Sequence, residues 1–309
     1  MIEAWGIDMN LFTSLLSWLC DGYWPTADED EELVVRAQDM RHSYTPLELL
    51  ASGDTADIHL ATTADESGTT PETLYLLKVA GAAEGNAHLD IERKTLTTLL
   101  AVAGNTTYRN YLPALADSFP TVGQCPRRIN VFRWKPGFHT LEQVHEQHPA
   151  LEGRHLAWIF KRLLTVLGFS HRQNILHGAV LPCHALIHAA SHGLQLVGWG
   201  RSALVGQRIR SVPARYHDWY PAEVQHQRPA SPATDLFLAA RCLVYLAGGD
   251  PATNRMPEAV PPPMQRFLKT CLLESAPMRP DDAWALMEDF DELLHGLYGP
   301  PKFHELTMT

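Results

Sequence analysis

Lys78 is the first residue along the chain whose surroundings do not suit it. It is one of six lysines among 25 basic residues, and it lies inside the apolar run LYLLKVA (74–80). An ammonium there must snorkel to water or meet a carboxylate, because burying it alone costs on the order of several kcal/mol. Glu92 is the carboxylate placed to meet it, since Leu96 and Leu99 follow it at helical spacing; Asp90 is the alternative, on another face. The sixteen histidines raise a metal question, with His177, His184, His188 and His192 at intervals of 7, 4 and 4. Those intervals would suit a helix, but Pro182 and the strand-like LIHAA (186–190) oppose one, and no carboxylate completes a set. Hydrogen bonding or solvent exposure is the expected role, and no metal is expected. Arg201, Arg208, Arg210 and Arg215 form a basic segment that suits an acidic or phosphorylated partner or, equally, a solvated loop.

Several function classes are excluded before any element is placed. A formal charge of -10 opposes a general nucleic-acid binder, which needs basic surface against phosphates. The five cysteines (Cys20, Cys125, Cys183, Cys242, Cys271) are odd in number and far apart, which suggests a reducing, cytoplasmic setting. The apolar N-terminus has Glu3 and Asp8 where a signal peptide needs a basic region, and no stretch reaches 18 apolar residues. A soluble chain, away from membranes, is expected.

The elements follow from periodicity. Residues 1–45 suggest a helical extension, with one helix over Leu11–Leu19 and a second running to about His42, and Pro46 as a boundary. Residues 47–63, 73–80 and 127–133 read as strands, with a polar loop at 64–72 and a helix over 89–103. Beyond the Pro136-Gly137 turn, helices are expected at 155–173, 235–246, 264–273 and 281–297. Short strand-like runs sit near Leu186–Ile187 and Leu194–Val197, and 201–232 is aperiodic. Strands first and helices later make an α+β pattern of two unequal lobes.

This order, over roughly residues 47–297, resembles the eukaryotic-type protein kinase superfamily and its bacterial relatives. ASGDTADI (51–58) falls where that family has its glycine-rich loop, keeping only Gly53, with Ala51 and Ala56 in the outer places. Asp54 and Asp57 would bring negative charge near a triphosphate. Lys78 and Glu92 match the family's lysine–glutamate pair. HGAVLPCH (177–184) is similar to H-R-D-L-x-P-x-N, keeping His177 and Pro182; Ala179 stands for the catalytic base and His184 for a metal-binding asparagine. In LVGWG (196–200), Gly198 stands for the metal-binding aspartate of D-F-G, and Trp199 is expected in the core. Pro221-Ala222-Glu223 matches A-P-E. The resemblance then implies a buried Glu223–Arg279 pair and an Asp235 that holds the catalytic-loop backbone; a plain helix cap is the other reading of Asp235.

The resemblance implies a two-lobed protein-kinase-like fold, with an extension at 1–45, a small strand-rich lobe at 46–135, a mostly helical lobe at 136–297 and a tail at 298–309. Alanine cannot take a proton, and glycine has no oxygen for Mg²⁺, so base and both metal ligands are lost together. The expected function is that of a catalytically inactive kinase-like protein, a pseudokinase acting as a binding or regulatory scaffold with a protein partner. The alternatives are an enzyme with altered ATP-dependent transferase chemistry and a purely structural support. Lys78, Glu92 and Gly53 are what remains of a nucleotide site. No cofactor is expected, beyond weak metal-independent nucleotide binding. His177, Glu223, Asp235 and Arg279 carry structural roles.

Overall fold

The computed structural model describes residues 35–36, 43–63, 73–121 and 125–308. The expected helix at 11–19, the acidic run 28–32 and the loop at 64–72 lie outside them. The chain is mixed α+β, an antiparallel sheet followed by helices, and it divides into two compact units. One contains the described residues up to Arg93 together with Ala114–Lys135; the other contains Lys94–Pro113 and Pro136 onward.

The first unit is built on six strands: β1 (Val35–Arg36), β2 (Ser43–Ser52), β3 (Ala56–Thr63), β4 (Leu74–Ala80), β5 (Leu115–Pro120) and β6 (Arg128–Arg133). Their order is β1-β2-β3-β4-β6-β5, every pair antiparallel. Alternation along the strands separates two faces. Leu77, Val79, Ile129 and Val131 join Tyr44, Ala61 and Phe119 in one buried cluster, and Lys78 and Asn130, directly opposite one another, point the other way. On that second side helix α1 (Ala83–Ala103) begins, its Leu89 packing on Ala56 and Ala80.

Two expectations fail here for local reasons. The helix running to His42 gives way at Val35–Arg36 to a short strand against Ser43–Tyr44, in keeping with the β-branched Val-Val pair in the sequence. Pro46 is no boundary: β2 runs through it, and an irregularity between Pro46 and Glu48 accommodates a residue that has no N–H. The strand reading over 47–63 resolves into two strands around a turn at 53–55, closed by Gly53 N–H donating to Ala56 O at 3.1 Å.

The second unit contains α2 (Leu141–Gln147), α3 (Gly153–His171), α4 (Ala222–Gln225), α5 (Pro232–Leu246), α6 (Pro262–Cys271) and α7 (Ala283–Tyr298). Helix α3 buries Leu156, Ile159, Phe160, Leu163, Leu164 and Leu167 and packs against α5 and α7. Nearly every side chain of α5 is buried, which its unbroken apolar sequence requires. Asp282 caps α7, accepting from the N–H groups of Trp284 and Ala285 at 2.8 and 3.2 Å. Short strands connect the helices: β7 (Phe138–Thr140), β9 (Ala185–His188) and β10 (Gly193–Leu196) form one sheet, and β8 (Ile175–Leu176) pairs with β11 (Ala203–Leu204). The aperiodic 201–232 stretch is ordered by β11, α4 and a 3₁₀ segment at Ala214–Trp219. No helix among the described residues is long and apolar enough to cross a membrane.

Candidate functional site

In the sheet unit the structure joins Lys78 Nζ to Glu92 Oε1 at 2.9 Å, with Glu92 almost fully buried and Lys78 one-fifth exposed. Strand pleat turns Lys78 away from the Leu77–Val79 core, and α1 lays Glu92 over it. Asn130 completes the arrangement. Its Nδ2 donates to Glu92 Oε2 and to Leu89 O, both at 3.0 Å, while its Oδ1 accepts from Ser118 Oγ at 2.7 Å. Asp90 takes no part and binds Arg93 at 2.9 Å.

The hairpin tip at 53–55 is anchored to the start of α1. Gly81 N–H donates to Thr55 O at 3.0 Å, and a Cβ on Gly85 would meet that same oxygen at 2.1 Å. Asp54 is exposed, and Asp57 accepts from the Ser52 hydroxyl. A second irregularity falls between Leu49 and Ala51, after which Ala51 pairs with Ile58 and Ser52 with Asp57 up to the tip.

In the helical unit the 177–184 segment is held from beneath by one carboxylate. Asp235 Oδ2 accepts from His177 N–H at 2.8 Å and from His171 Nε2 at 2.9 Å, and Oδ1 accepts from Gly178 N–H at 2.9 Å. Burial alone would discourage its ionisation. Hydrogen bonds from His171 and from Gly178 N–H outweigh burial and hold the Asp235 carboxyl below its ordinary range. The cap reading fails: α5 begins at Pro232, which places Asp235 within the first helical turn, engaged with a distant loop. His177 donates from Nε2 to Val197 O at 2.9 Å and accepts at Nδ1 from Ala179 N–H at 3.2 Å, which assigns its neutral tautomer.

Gly178 in this segment and Gly198 beside it sit where a side chain would not fit. Gly178 has φ +74°, and a Cβ there would meet Arg201 O at 2.4 Å, so neither conformation nor space admits arginine. Gly198 has φ +81°, and a Cβ there would lie 2.6 Å from His184 Cδ2. The His184 ring, fixed by Nδ1–H donating to Ala179 O at 2.8 Å, occupies the space an aspartate at 198 would need. Ala179 is fully buried. Trp199 is fully buried too, donating to Leu196 O at 2.7 Å with its ring edge-on to His177.

The structure also joins Glu223 and Arg279. Arg279 Nη1 and Nη2 reach Glu223 Oε1 and Oε2 at 2.7 and 3.3 Å, a bidentate pair with both residues buried. Thr234 Oγ1 donates to Glu223 at 3.0 Å, and the guanidinium lies 4.5 Å over the Phe237 ring. Sequence reasoning missed Asn130, Thr234 and Glu142. Glu142 is buried, accepting from the Tyr216 hydroxyl and pairing with Arg215 at 3.1 Å. Asn130 was the one with a signal, as the only amide in the apolar strand RINVFR.

The four clustered histidines disperse. His184 and His177 turn to backbone carbonyls, His188 meets Ser191 at 3.0 Å, and His192 donates to His304 O at 2.7 Å. The described residues contain no group of three His, Cys, Asp or Glu side chains able to hold a metal. Of the basic segment, Arg208 and Arg210 are exposed and Arg215 is committed to Glu142. Asp218, a nearby carboxylate, is exposed beside His217. No protein-family model matches the chain, and no curated protein matches it.

Proposed function

We propose that the chain is a protein-kinase-like protein, with a small sheet lobe and a larger helical lobe, that acts as a binding or regulatory scaffold without phosphoryl transfer. The order of elements supports the fold reading: an antiparallel sheet bearing Lys78, a helix bearing Glu92, then a loop steadied by Asp235 and a Glu223–Arg279 clasp. The observation that carries the functional reading is the state of the three positions the resemblance assigns to base and metal. Ala179 is buried and has no proton acceptor. His184 spends Nδ1 on a backbone carbonyl, and Gly198 offers no ligand and is crowded by that same ring. Mg²⁺ needs oxygen ligands in a near-octahedral shell, and these residues supply none from their side chains.

The intact Lys78–Glu92 pair favours a second reading, an ATP-dependent transferase using other residues. A buried ion pair is equally a structural feature, and it lacks the partners that would make it catalytic. Turnover separates the two. Hydrolysis of ATP and transfer to generic protein acceptors, with Mg²⁺ or Mn²⁺, should stay at the level of a Lys78→Ala control. ATP should give no magnesium-dependent thermal stabilisation at submillimolar concentration. Activity or stabilisation that vanishes in Lys78→Ala would replace the scaffold reading with the transferase.

A further inference from the structure

We propose that a cavity of about 500 Å³ in the helical unit, walled by α3, α7 and the C-terminal segment, binds a small organic anion with an apolar, ring-bearing body and a carboxylate or phosphate head. The proposal stands apart from the kinase-like reading and uses none of the site residues named for it. The volume falls within the roughly 300–1,000 Å³ of small-molecule sites.

The lining divides by chemistry. Ala157, Trp158, Leu294 and Tyr298, with Pro300 and Pro301, supply apolar and aromatic surface. Arg154, Lys161 and Lys302 stand against two carboxylates, Asp291 in the lining and Glu152 beside Arg154, a local excess of positive charge in a chain whose overall charge is -10. Such a local reversal of sign concentrates anions at the cavity mouth. Lys161 is paired with Asp291 at 2.6 Å, and Arg154 with Glu152 at 2.5 Å while its guanidinium lies 4.6 Å from the Tyr298 ring. Lys302 makes no ion pair with any described residue, which leaves it to meet a ligand's charge.

The outer wall is fixed in place. Residues 299–308 form no helix or strand, yet His192 Nε2 donates to His304 O at 2.7 Å and His148 Nε2 to Thr307 O at 2.8 Å. Leu306 is buried. The His192 ring is sandwiched between Trp158 and Phe303, with centroids 4.2 and 4.1 Å away and planes within 6° and 22° of parallel. Arg162 Nε, donating to His192 O at 3.0 Å, holds the same residue by its backbone. A wall ordered before a ligand arrives loses little freedom on binding, which favours affinity for a small molecule. A flat ring fits beside Trp158 and Tyr298, and its acidic group meets Lys302 at the rim.

The test uses the full chain with naphthoate and naphthyl phosphate, followed by calorimetry and by tryptophan fluorescence. Inorganic phosphate and naphthalenemethanol separate the head from the body. We expect saturable binding of at least one anion with Kd below about 1 mM, and at least tenfold weaker binding of both controls. The naphthyl anion that binds identifies the head as carboxylate, phosphate or either. Lys302→Glu should weaken it about fivefold, and Asp291→Asn should tighten it about threefold, in line with exposed charge pairs. Both positions are exposed, so the variants should melt like the wild type. No saturable binding by either anion, equal binding of naphthalenemethanol, or indifference to both substitutions would overturn the proposal.

Discussion

Replacing Arg279 by methionine tests the clasp beneath the helical unit most directly. The change keeps most of the side-chain volume and removes the guanidinium, leaving the Glu223 carboxylate buried with the Thr234 hydroxyl as its remaining donor. Breaking a buried pair from one side costs about 3–5 kcal/mol, chiefly through the uncompensated charge. The upper half of that range applies, because the lost interactions also include hydrogen bonds from Arg279 to the carbonyls of Leu273 and Glu274 and its contact over Phe237. For a unit of this size, each kcal/mol moves Tm by about 2–4 °C, so a fall of roughly 8–20 °C is expected. Urea unfolding of Arg279→Met, Glu223→Gln and the double variant, followed by tryptophan fluorescence, forms the cycle. The double variant should be less damaged than the sum, with a coupling of about 2 kcal/mol or more. Additive losses, or a loss below about 1 kcal/mol for Arg279→Met, would refute the reasoning.

Three further outcomes are expected. Because the folded-state pKa of Asp235 is depressed, its stabilisation is complete above the ordinary value near 3.8 and is lost as pH falls through the folded value. Asp235→Asn should therefore be less stable at neutral pH and show a flatter decline on acidification, read by urea midpoints from pH about 6 to about 3. Gly198→Asp should destabilise by about 2 kcal/mol or more through its positive φ and the His184 ring, and adding His184→Asn should recover part of that loss in thermal melts. Among the four described cysteines, Cys125 should react first with a thiol reagent at pH about 8. Burial, and for Cys183 also Glu142, pushes the Cys183 and Cys271 thiols up to about 12, and burial lifts Cys242 well above its ordinary range.

The sequence was most legible where a residue type conflicted with its surroundings. Lys78 amid leucines and valine demanded a carboxylate, and helical spacing picked Glu92 over Asp90. Long apolar periodicities gave α3, α5 and α7 to within a few residues, because one buried face repeated over several turns leaves little freedom. Short elements were illegible. The two-residue strands β8 and β11 and the four-residue α4 are too brief to carry a period, and tertiary pairing fixes them. Pro46 misled because a bulge can hide a missing N–H, which depends on the partner strand. Asn130 and Thr234 escaped because their partners lie 38 and 11 residues away and neither carries a charge to advertise a need. The crowding of Gly198 by His184 is a matter of backbone angle and ring placement, and no spacing in the sequence encodes it.

That crowding also restricts which amino-acid changes can follow one another. With His184 in place, a side chain at 198 meets both the ring and an unfavourable backbone angle, so any side chain arriving there first lowers stability. If His184 changes first, the ring leaves, but the chain also gives up the hydrogen bond to Ala179 O. Each single step costs stability. The packing around one imidazole therefore acts as a ratchet: it makes the order of changes at 184 and 198 matter.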